Sequence, residues 1–480
     1  MSLEAQGMSG TSVETSFRSQ IRGGEVHFMG VAGAGMVALA EAVARAGGRV
    51  SGCDLNPQAV RAHLEGLGVE VHGGHHVHHI DGLAALIISA AVPSDHPEVE
   101  AARTRGVPIL KRAQALGGWV NHGTVVGVAG THGKTTTTAL TTCVLEAAGQ
   151  DPSAFVGGQV AGWGGNYRAG RDDLFVVEAD EYDRSFLSLS PHVAVVTNLE
   201  ADHLDQYKNL AGVREAFRSF VERIPPQGTL VVCADDNEAS RLVTAVEPDR
   251  QVVTYGTSAG AMLRAVGVKM VGGRCRFRIM SLGESRGDVE LAFSGLHNVR
   301  NALAAVAVGE ALGAGWAEIR AGLAAFQGVA RRFQRLGEAA DVTVIDDYAH
   351  HPTEVRATLE AARQSYPGRR LVAVFQPHLY SRTRDFARAF GEALTGADVV
   401  WVTEIYPARE APIPGVSGQQ IAGEVEDAGG GDVHFHPDLA DLPRALARQA
   451  KPGDVVLTLG AGSITSVGPE LLRLLEGGVA

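Results

Sequence analysis

The segment VVGVAGTHGKTTTTAL, from Val125 to Leu140, limits what this chain can fold into more than any other. An apolar run of Val125, Val126 and Val128 breaks into Gly130, Thr131, His132, Gly133, Lys134 and Thr135. From Thr136 it continues as a Thr- and Ala-rich stretch with helical spacing, so strand, loop and helix are expected in immediate succession. Glycines in such a loop let backbone N–H groups approach phosphate oxygens, and the helix N-terminus adds its positive end. The ammonium of Lys134 reaches the outer phosphates, and the hydroxyl of Thr135 suits Mg²⁺. The commoner G-x-x-x-x-G-K-[ST] pattern would put its leading glycine at Val128, so the motif here is a shorter Gly-x-x-Gly-Lys-Thr. A nucleoside triphosphate site is the expectation.

A chain of 480 residues provides for roughly three domains at about 100–200 residues each. Its net charge of −12 argues against a general nucleic-acid or membrane-surface binder, so substrate phosphates must be met by local Lys and Arg. The four cysteines, Cys53, Cys143, Cys233 and Cys275, form no Cys-x-x-Cys pair. Neither a structural zinc site nor a disulfide framework is expected, and the usage suits a reducing cytosol. Residues 1–20 lack the apolar core of a signal peptide and read as a flexible tail, and no run of about 18 apolar residues predicts a membrane span.

Ahead of the phosphate loop, the strand Val26–Met29 leads into Gly30, Val31, Ala32, Gly33, Ala34 and Gly35, with a helical pattern to Ala46. This is a dinucleotide-type signature in weakened form, because Ala32 replaces the middle glycine of G-x-G-x-x-G. Asp54 follows about twenty residues on, placed to meet a ribose hydroxyl or to cap a turn. VHGGHHVHHI, Val71 to Ile80, is histidine-rich yet lies between two strands without a neighbouring cysteine or carboxylate cluster. It reads as a solvent-facing connection, not a metal site. The apolar strand that follows carries Ser89 at its carboxyl end, where ligands gather in open α/β sheets.

After the loop, two apolar strands end in acidic clusters, EADEYD at Glu178–Asp183 and TNLEADHLD with Asn198, Asp202 and His203. Glu178 and Asp180 at a strand tip can hold the Mg²⁺ that Thr135 also touches. Asn298 and Asn301 stand at a helix start, where amides can pair with both edges of adenine or cap the helix. Arg331, Arg332 and Arg335 read as a linker facing anionic ligands or as a solvated charge run. Beyond it, strands alternate with helices and end in Asp346, Asp347, Tyr348 and His350, then in Gln376, His378 and Arg382.

The ordered set HFMGVAGAGM, GTHGKTTT, EADEYDRSF, TNLEADHLD, HNVRNALAA, RRFQ, DDYAHHPTE, FQPHLYSRTRD, EIYPAREAPIPG and GAGSI resembles the Mur ligases of peptidoglycan synthesis. The pieces run from His27 to Ile464, and DDYAHHPTE and FQPH point to the muramate-binding branch. The resemblance implies an α/β chain of three domains. These are an N-terminal Rossmann-like unit at 21–121 for a UDP-sugar, a central P-loop ATPase-type parallel sheet at 122–330, and a C-terminal Rossmann-like ligase unit at 331–480 that closes over the site.

It also implies a reaction. ATP phosphorylates the lactyl carboxylate of UDP-N-acetylmuramate, and the amine of L-alanine attacks the acyl phosphate. Gly130 to Thr136 would cradle phosphates, Thr135 and Glu178 would bind one Mg²⁺, and His203 a second. Asn298 and Asn301 would contact adenine, and Asp346 or Asp347 the ribose. Gly33, Ala34, Gly35, Asp54 and Ser89 would lie on the UDP-sugar side. Tyr348, His350, His378 and Arg382 would face muramate and alanine. A cytoplasmic monomer or weak homodimer, with no nucleic-acid or membrane partner, is expected. The alternatives are a ligase that joins a recycled tripeptide and a non-catalytic regulator binding UDP-sugar or ATP.

Overall fold

In a computed structural model of the chain, residues 10–271, 273–408 and 410–477 are described. The chain divides into two compact units. The first holds residues 1–266, 279–287 and 300–327, and the second holds 267–278, 288–299 and 328–480.

The first unit opens with a helix, Gly10–Gly23, so the expected tail gives way to ordered structure from residue 10, while residues 1–9 lie outside those described. Phe17 is the reason, because it is fully buried and packs against Gly118. Arg18 adds a two-pronged ion pair to Asp172, at 2.8 and 2.9 Å, and covers the ring of Trp119.

A five-stranded sheet follows, made of β1 (Glu25–Met29), β2 (Arg49–Asp54), β3 (Glu70–Gly73), β4 (Leu83–Ile88) and β5 (Ile109–Lys111), in the order β3-β2-β1-β4-β5. Every pair is parallel. β4, LAALII, is a continuous apolar run, as a central strand covered on both faces tends to be, while β1 and β2 bury Val26, Phe28, Met29, Val50 and Cys53 among polar neighbours. The order reverses between β1 and β4, and the crevice at that switch point lies at the carboxyl ends of the strands.

The next strands are β6 (Thr124–Ala129), β7 (Pro152–Val160), β8 (Gly165–Arg168), β9 (Arg171–Glu178), β10 (Val193–Val196), β11 (Thr229–Cys233), β12 (Gln251–Gly256), β13 (Leu263–Val271), β14 (Arg274–Ser281) and β15 (Glu284–Leu291). They form one sheet in the order β15-β14-β13-β12-β11-β10-β6-β9-β7-β8. β6 is central and parallel to both neighbours, β9 and β10. One continuous core runs from Phe28 and Met36 beside the first sheet to Phe175, Phe186 and Phe217 beside the second.

The second unit contains a six-stranded sheet of β16 (Gln334–Ala339), β17 (Val342–Asp347), β18 (Leu371–Phe375), β19 (Val399–Val402), β20 (Asp432–Phe435) and β21 (Val455–Leu459), ordered β16-β17-β21-β18-β19-β20. Only β16 runs antiparallel to its neighbour. Two apolar layers cover its faces, one around Phe375 and Phe390 and the other around Trp401 and Leu471. The expected α/β architecture of mostly parallel sheets is therefore what the chain adopts. Among the described residues no helix is long and apolar enough to cross a membrane.

Candidate active site

β6 delivers the phosphate loop. Gly130 has φ +135°, and a Cβ there would stand 1.9 Å from Thr197 Oγ1, so no side chain can occupy the position. Gly133 precedes the helix Lys134–Ala147 in the left-handed region, φ +83°, with Asn301 Oδ1 2.6 Å from where its Cβ would be. Both conformations favour glycine for the same steric reason.

The strand register then places the polar partners. Val128 pairs with Glu178 on β9 and Ala129 with Val196 on β10, so the acidic tip of β9 and the residues after β10 flank the loop. Thr131 N donates to the carbonyl of Asn198 at 3.2 Å, and His132 N donates to Asn198 Oδ1 at 2.8 Å. These two loop N–H groups thus tie the loop to the end of the neighbouring strand. The N–H groups free of intrahelical partners by geometry are those of the first helical turn, Lys134, Thr135 and Thr136.

Lys134 Nζ donates to the carbonyl of Gly130 at 2.7 Å and to both carboxylate oxygens of Glu181, at 2.7 and 3.0 Å. Burial opposes a charge on Lys134. Glu181, Asp180 and Glu178 outweigh it and hold the ammonium above the ordinary lysine value. Burial pushes Glu181 up to about 7, with Lys134 opposing that rise and Asp180 adding to it. Sequence reasoning missed Glu181. Its signal was available, because it lies three residues beyond Glu178, where the strand yields to a 3₁₀ turn beginning at Tyr182.

Thr135 Oγ1 donates to Glu178 Oε1 at 2.9 Å, and Glu178 Oε2 accepts from Gly157 N at 2.5 Å. A hydroxyl and a carboxylate at the loop's helical end form an all-oxygen donor pair suited to a hard divalent cation. His203, in the left-handed region at φ +51°, has Nε2 3.9 Å from Glu181 Oε1 and 3.8 Å from Asp202 Oδ2. Glu181 thus joins Lys134 to His203, while Thr135 meets Glu178 directly. Asn301 lies against Gly133 of the loop.

At the first sheet, the glycine turn is closed by Asp54. Its Oδ2 accepts from Ala32 N at 3.1 Å and its Oδ1 from Asn56 N at 2.9 Å. The residue that departs from the glycine signature therefore uses its backbone, not its side chain, and Asp54 acts as the turn's acceptor. Ser89 sits against Gly30. Gly33 caps the helix Ala34–Arg45, and Arg112 lies across Gly35, its guanidinium about to touch any Cβ placed there, at 3.0 Å. Arg112 is a cation at a helix N-terminus that the sequence alone did not reveal. Its only sequence signal is its place directly after β5.

In the second unit Asp346 is 1 % exposed. It accepts from Thr458 Oγ1 at 2.6 Å and Thr465 Oγ1 at 2.7 Å, and from Arg331 Nε at 3.2 Å. It knits strand ends together, with Thr458 on Oδ1 and Thr465 and Arg331 on Oδ2. Asp347 accepts from Phe333 N and Ala349 N, and burial pushes it up to about 6. Arg335 pairs with Glu338 at the surface. Arg331 and Arg332 lie over the ring of Tyr348, at 4.9 and 5.2 Å. The Tyr348 and His350 rings are 5.2 Å apart, His350 and His378 5.8 Å, and His378 stacks on Tyr406 at 5.8 Å. Three of the expected substrate-side residues are therefore gathered together, while Arg382 is buried on the helix Tyr380–Leu394. Asn298 gives its amide to the carbonyl of Ser294 at 2.7 Å.

Three largely parallel sheets, one carrying a phosphate loop whose lysine and hydroxyl meet carboxylates, define an α/β nucleotide-dependent enzyme. The chain belongs to the Mur ligase family. It matches the Mur ligase family catalytic domain over residues 25–124, the Mur ligase middle domain over 128–309 and the Mur ligase glutamate ligase domain over 331–462. The UDP-N-acetylmuramate–L-alanine ligase of Salinibacter ruber is 45% identical over 459 residues, covering 95% of this chain and 96% of the relative. That of Anaeromyxobacter dehalogenans strain 2CP-1 is 44% identical, covering 96% and 99%. The crystal structure of UDP-N-acetylmuramate-alanine ligase MurC from Thermotoga maritima aligns with a TM-score of 0.81 at 29% identity, over 95% of this chain and 99% of that one. A murein peptide ligase from Psychrobacter arcticus shares the fold, with a TM-score of 0.70 at 24% identity over 95% and 100%.

Proposed function

We propose that this chain joins L-alanine to the lactyl carboxylate of UDP-N-acetylmuramate at the expense of ATP. The observation that carries the reading is the cluster in which Lys134, Thr135 and Glu178 stand together at the helix start, in a chain 45% identical to a ligase of that name. A carboxylate is a poor acceptor for an amine. Transfer of the γ-phosphoryl group turns one of its oxygens into a phosphate leaving group, and the alanine amine then forms the amide.

In this reading Lys134 leaves Glu181 to neutralise the transferring phosphoryl group, and the N–H groups from Lys134 to Thr136 hold its oxygens. Thr135 and Glu178 would hold one Mg²⁺ and His203 a second, and these ions would mask the repulsion between phosphate and carboxylate. Asn298 and Asn301 serve the adenine side. Gly33, Ala34, Gly35, Asp54, Ser89 and Arg112 serve the UDP-sugar, with Arg112 opposite the diphosphate. Tyr348, His350, His378 and Arg382 serve muramate and alanine. The same reading divides the chain into a UDP-sugar domain at 21–121, an ATP-binding domain at 122–330 and a ligase domain at 331–480.

Phosphate release is the test, measured with ATP, Mg²⁺ and UDP-N-acetylmuramate plus either L-alanine or the tripeptide. Release with L-alanine is expected, and release only with tripeptide would overturn the assignment. Release with neither, alongside retained UDP-sugar binding, would favour a regulator.

A further inference from the structure

Cys53, at the end of β2, and His75, just past β3, meet at the carboxyl edge of the first sheet, where Cys53 pairs with His72 and Asp54 with Gly73. Cys53 Sγ and His75 Nδ1 are 3.1 Å apart. Glu98, in the first turn of the helix Pro97–Thr104, turns its carboxylate inward and is 1 % exposed. Its Oε1 is taken by His76 N at 2.6 Å and His79 Nδ1 at 2.8 Å. Its Oε2 stands 3.7 Å from Cys53 Sγ and 3.7 Å from His75 Nδ1.

A thiol sulfur, an imidazole nitrogen and a carboxylate oxygen thus mark a triangle. Tetrahedral bonds of about 2.3 Å to sulfur and about 2.0–2.1 Å to nitrogen and oxygen would require edges of about 3.3–3.6 Å, which the observed edges bracket. A carboxylate with one oxygen fixed by hydrogen bonds and the other presented is how outer partners orient a metal ligand. A second observation points to the same place. His27 is 1 % exposed, and its Nδ1 meets Ser51 Oγ at 2.9 Å. Its Nε2, equally buried, has no hydrogen-bond partner among the described residues. Ligating atoms of His27, Cys53 and His79 all lie within 4.8 Å of one another. The histidine-rich turn, expected to face solvent, therefore turns His79 into the interior beside His27 and Cys53. Cysteine spacing gave no hint, because the three ligands come from three separate elements.

We propose that Cys53, His75 and Glu98 bind a borderline-soft divalent cation of the zinc class, with a fourth position left open. Binding forms a sulfur–metal bond and releases the Cys53 thiol proton to solvent. The thiolate and the Glu98 carboxylate then balance the ion's two charges. The carbonyl of Cys53 accepts the N–H groups of Gly30 and Val31 at 2.8 and 3.1 Å, so the ion also fixes the first glycine turn.

Co²⁺ titration of the full chain, without nucleotide, should give a near-ultraviolet thiolate-to-cobalt band that saturates at one equivalent. Calorimetry with Zn²⁺ should give the same stoichiometry. Cys53→Ser should abolish the band and weaken Zn²⁺ binding about 100-fold, Glu98→Gln should weaken it at least about tenfold, and Cys143→Ser should change neither. Far-ultraviolet dichroism and melting of metal-free Cys53→Ser establish that it is folded, and Zn²⁺ should raise the melting temperature of the parent protein but not of this variant. Absence of the band in the parent protein, or its persistence in folded Cys53→Ser, would overturn the proposal.

Discussion

The first sheet and the central sheet each send a strand into a glycine turn and then a helix, yet the two turns are built for different work. At the first, the closing acceptor is Asp54, which binds Ala32 N and Asn56 N, and the nearby cation, Arg112, lies outside the turn. At the second, the cation is in the turn itself: Lys134 is buried against Glu181, and Thr135 against Glu178. The backbone device is shared, and the difference lies in where charge is stored. A turn with its charges at the rim suits holding a diphosphate in place. One with a buried ammonium and carboxylates suits a site where charge moves during reaction, since preorganised groups act most strongly where water is excluded.

Replacing the stored cation should break the comparison most sharply. Lys134→Ala is expected to lower turnover by about 10³-fold or more while UDP-sugar affinity, measured by calorimetry, stays within about twofold. Equal loss of both would mean the two turns are not independent. Glu178→Gln should cost about 10² in turnover and raise the Mg²⁺ concentration needed for half-maximal rate, whereas a rate change with no shift in Mg²⁺ demand would assign Glu178 another role.

The carboxylate at the second turn should also leave a signature in stability. Glu181 is raised from 4.5 to about 7 on folding, so the folded state binds its proton more tightly. That contribution is complete below about pH 4.5 and is lost as pH rises through 7, a change of order 3 kcal/mol at most. Glu181→Gln should flatten the pH dependence of chemical unfolding in that window, and an unchanged slope would count against the buried pair.

The smallest effect belongs to the first turn. Asp54→Ala, which removes the acceptor for Ala32 N, should weaken UDP-sugar binding about tenfold with turnover at saturation nearly unchanged. A fall in turnover with unaltered binding would place Asp54 in the chemistry instead.

Much of this was legible in the chain. Runs such as Val125–Val128 and Leu371–Phe375 are apolar because strands of parallel sheets are covered on both faces, and that pattern is local. Gly130, Gly133, Lys134 and Thr135 are equally local, since a phosphate loop is a contiguous device. The exceptions are residues whose role depends on a distant partner. Asp346 reads as a ligand contact in sequence, and only the fold shows Thr458 and Thr465, more than a hundred residues away, on its oxygens. Phe17 turns a polar-looking tail into a packed helix through a single buried ring.

Sequence by itself therefore determined the parallel α/β plan, the phosphate loop and the strand tips that carry acidic groups, because hydrophobic period and glycine placement act over a few residues. Tertiary structure decided which carboxylate holds Lys134, where Arg112 lies, and that Cys53, His75 and Glu98 meet. Those outcomes rest on strand order and register, which bring together groups that the chain holds tens of residues apart.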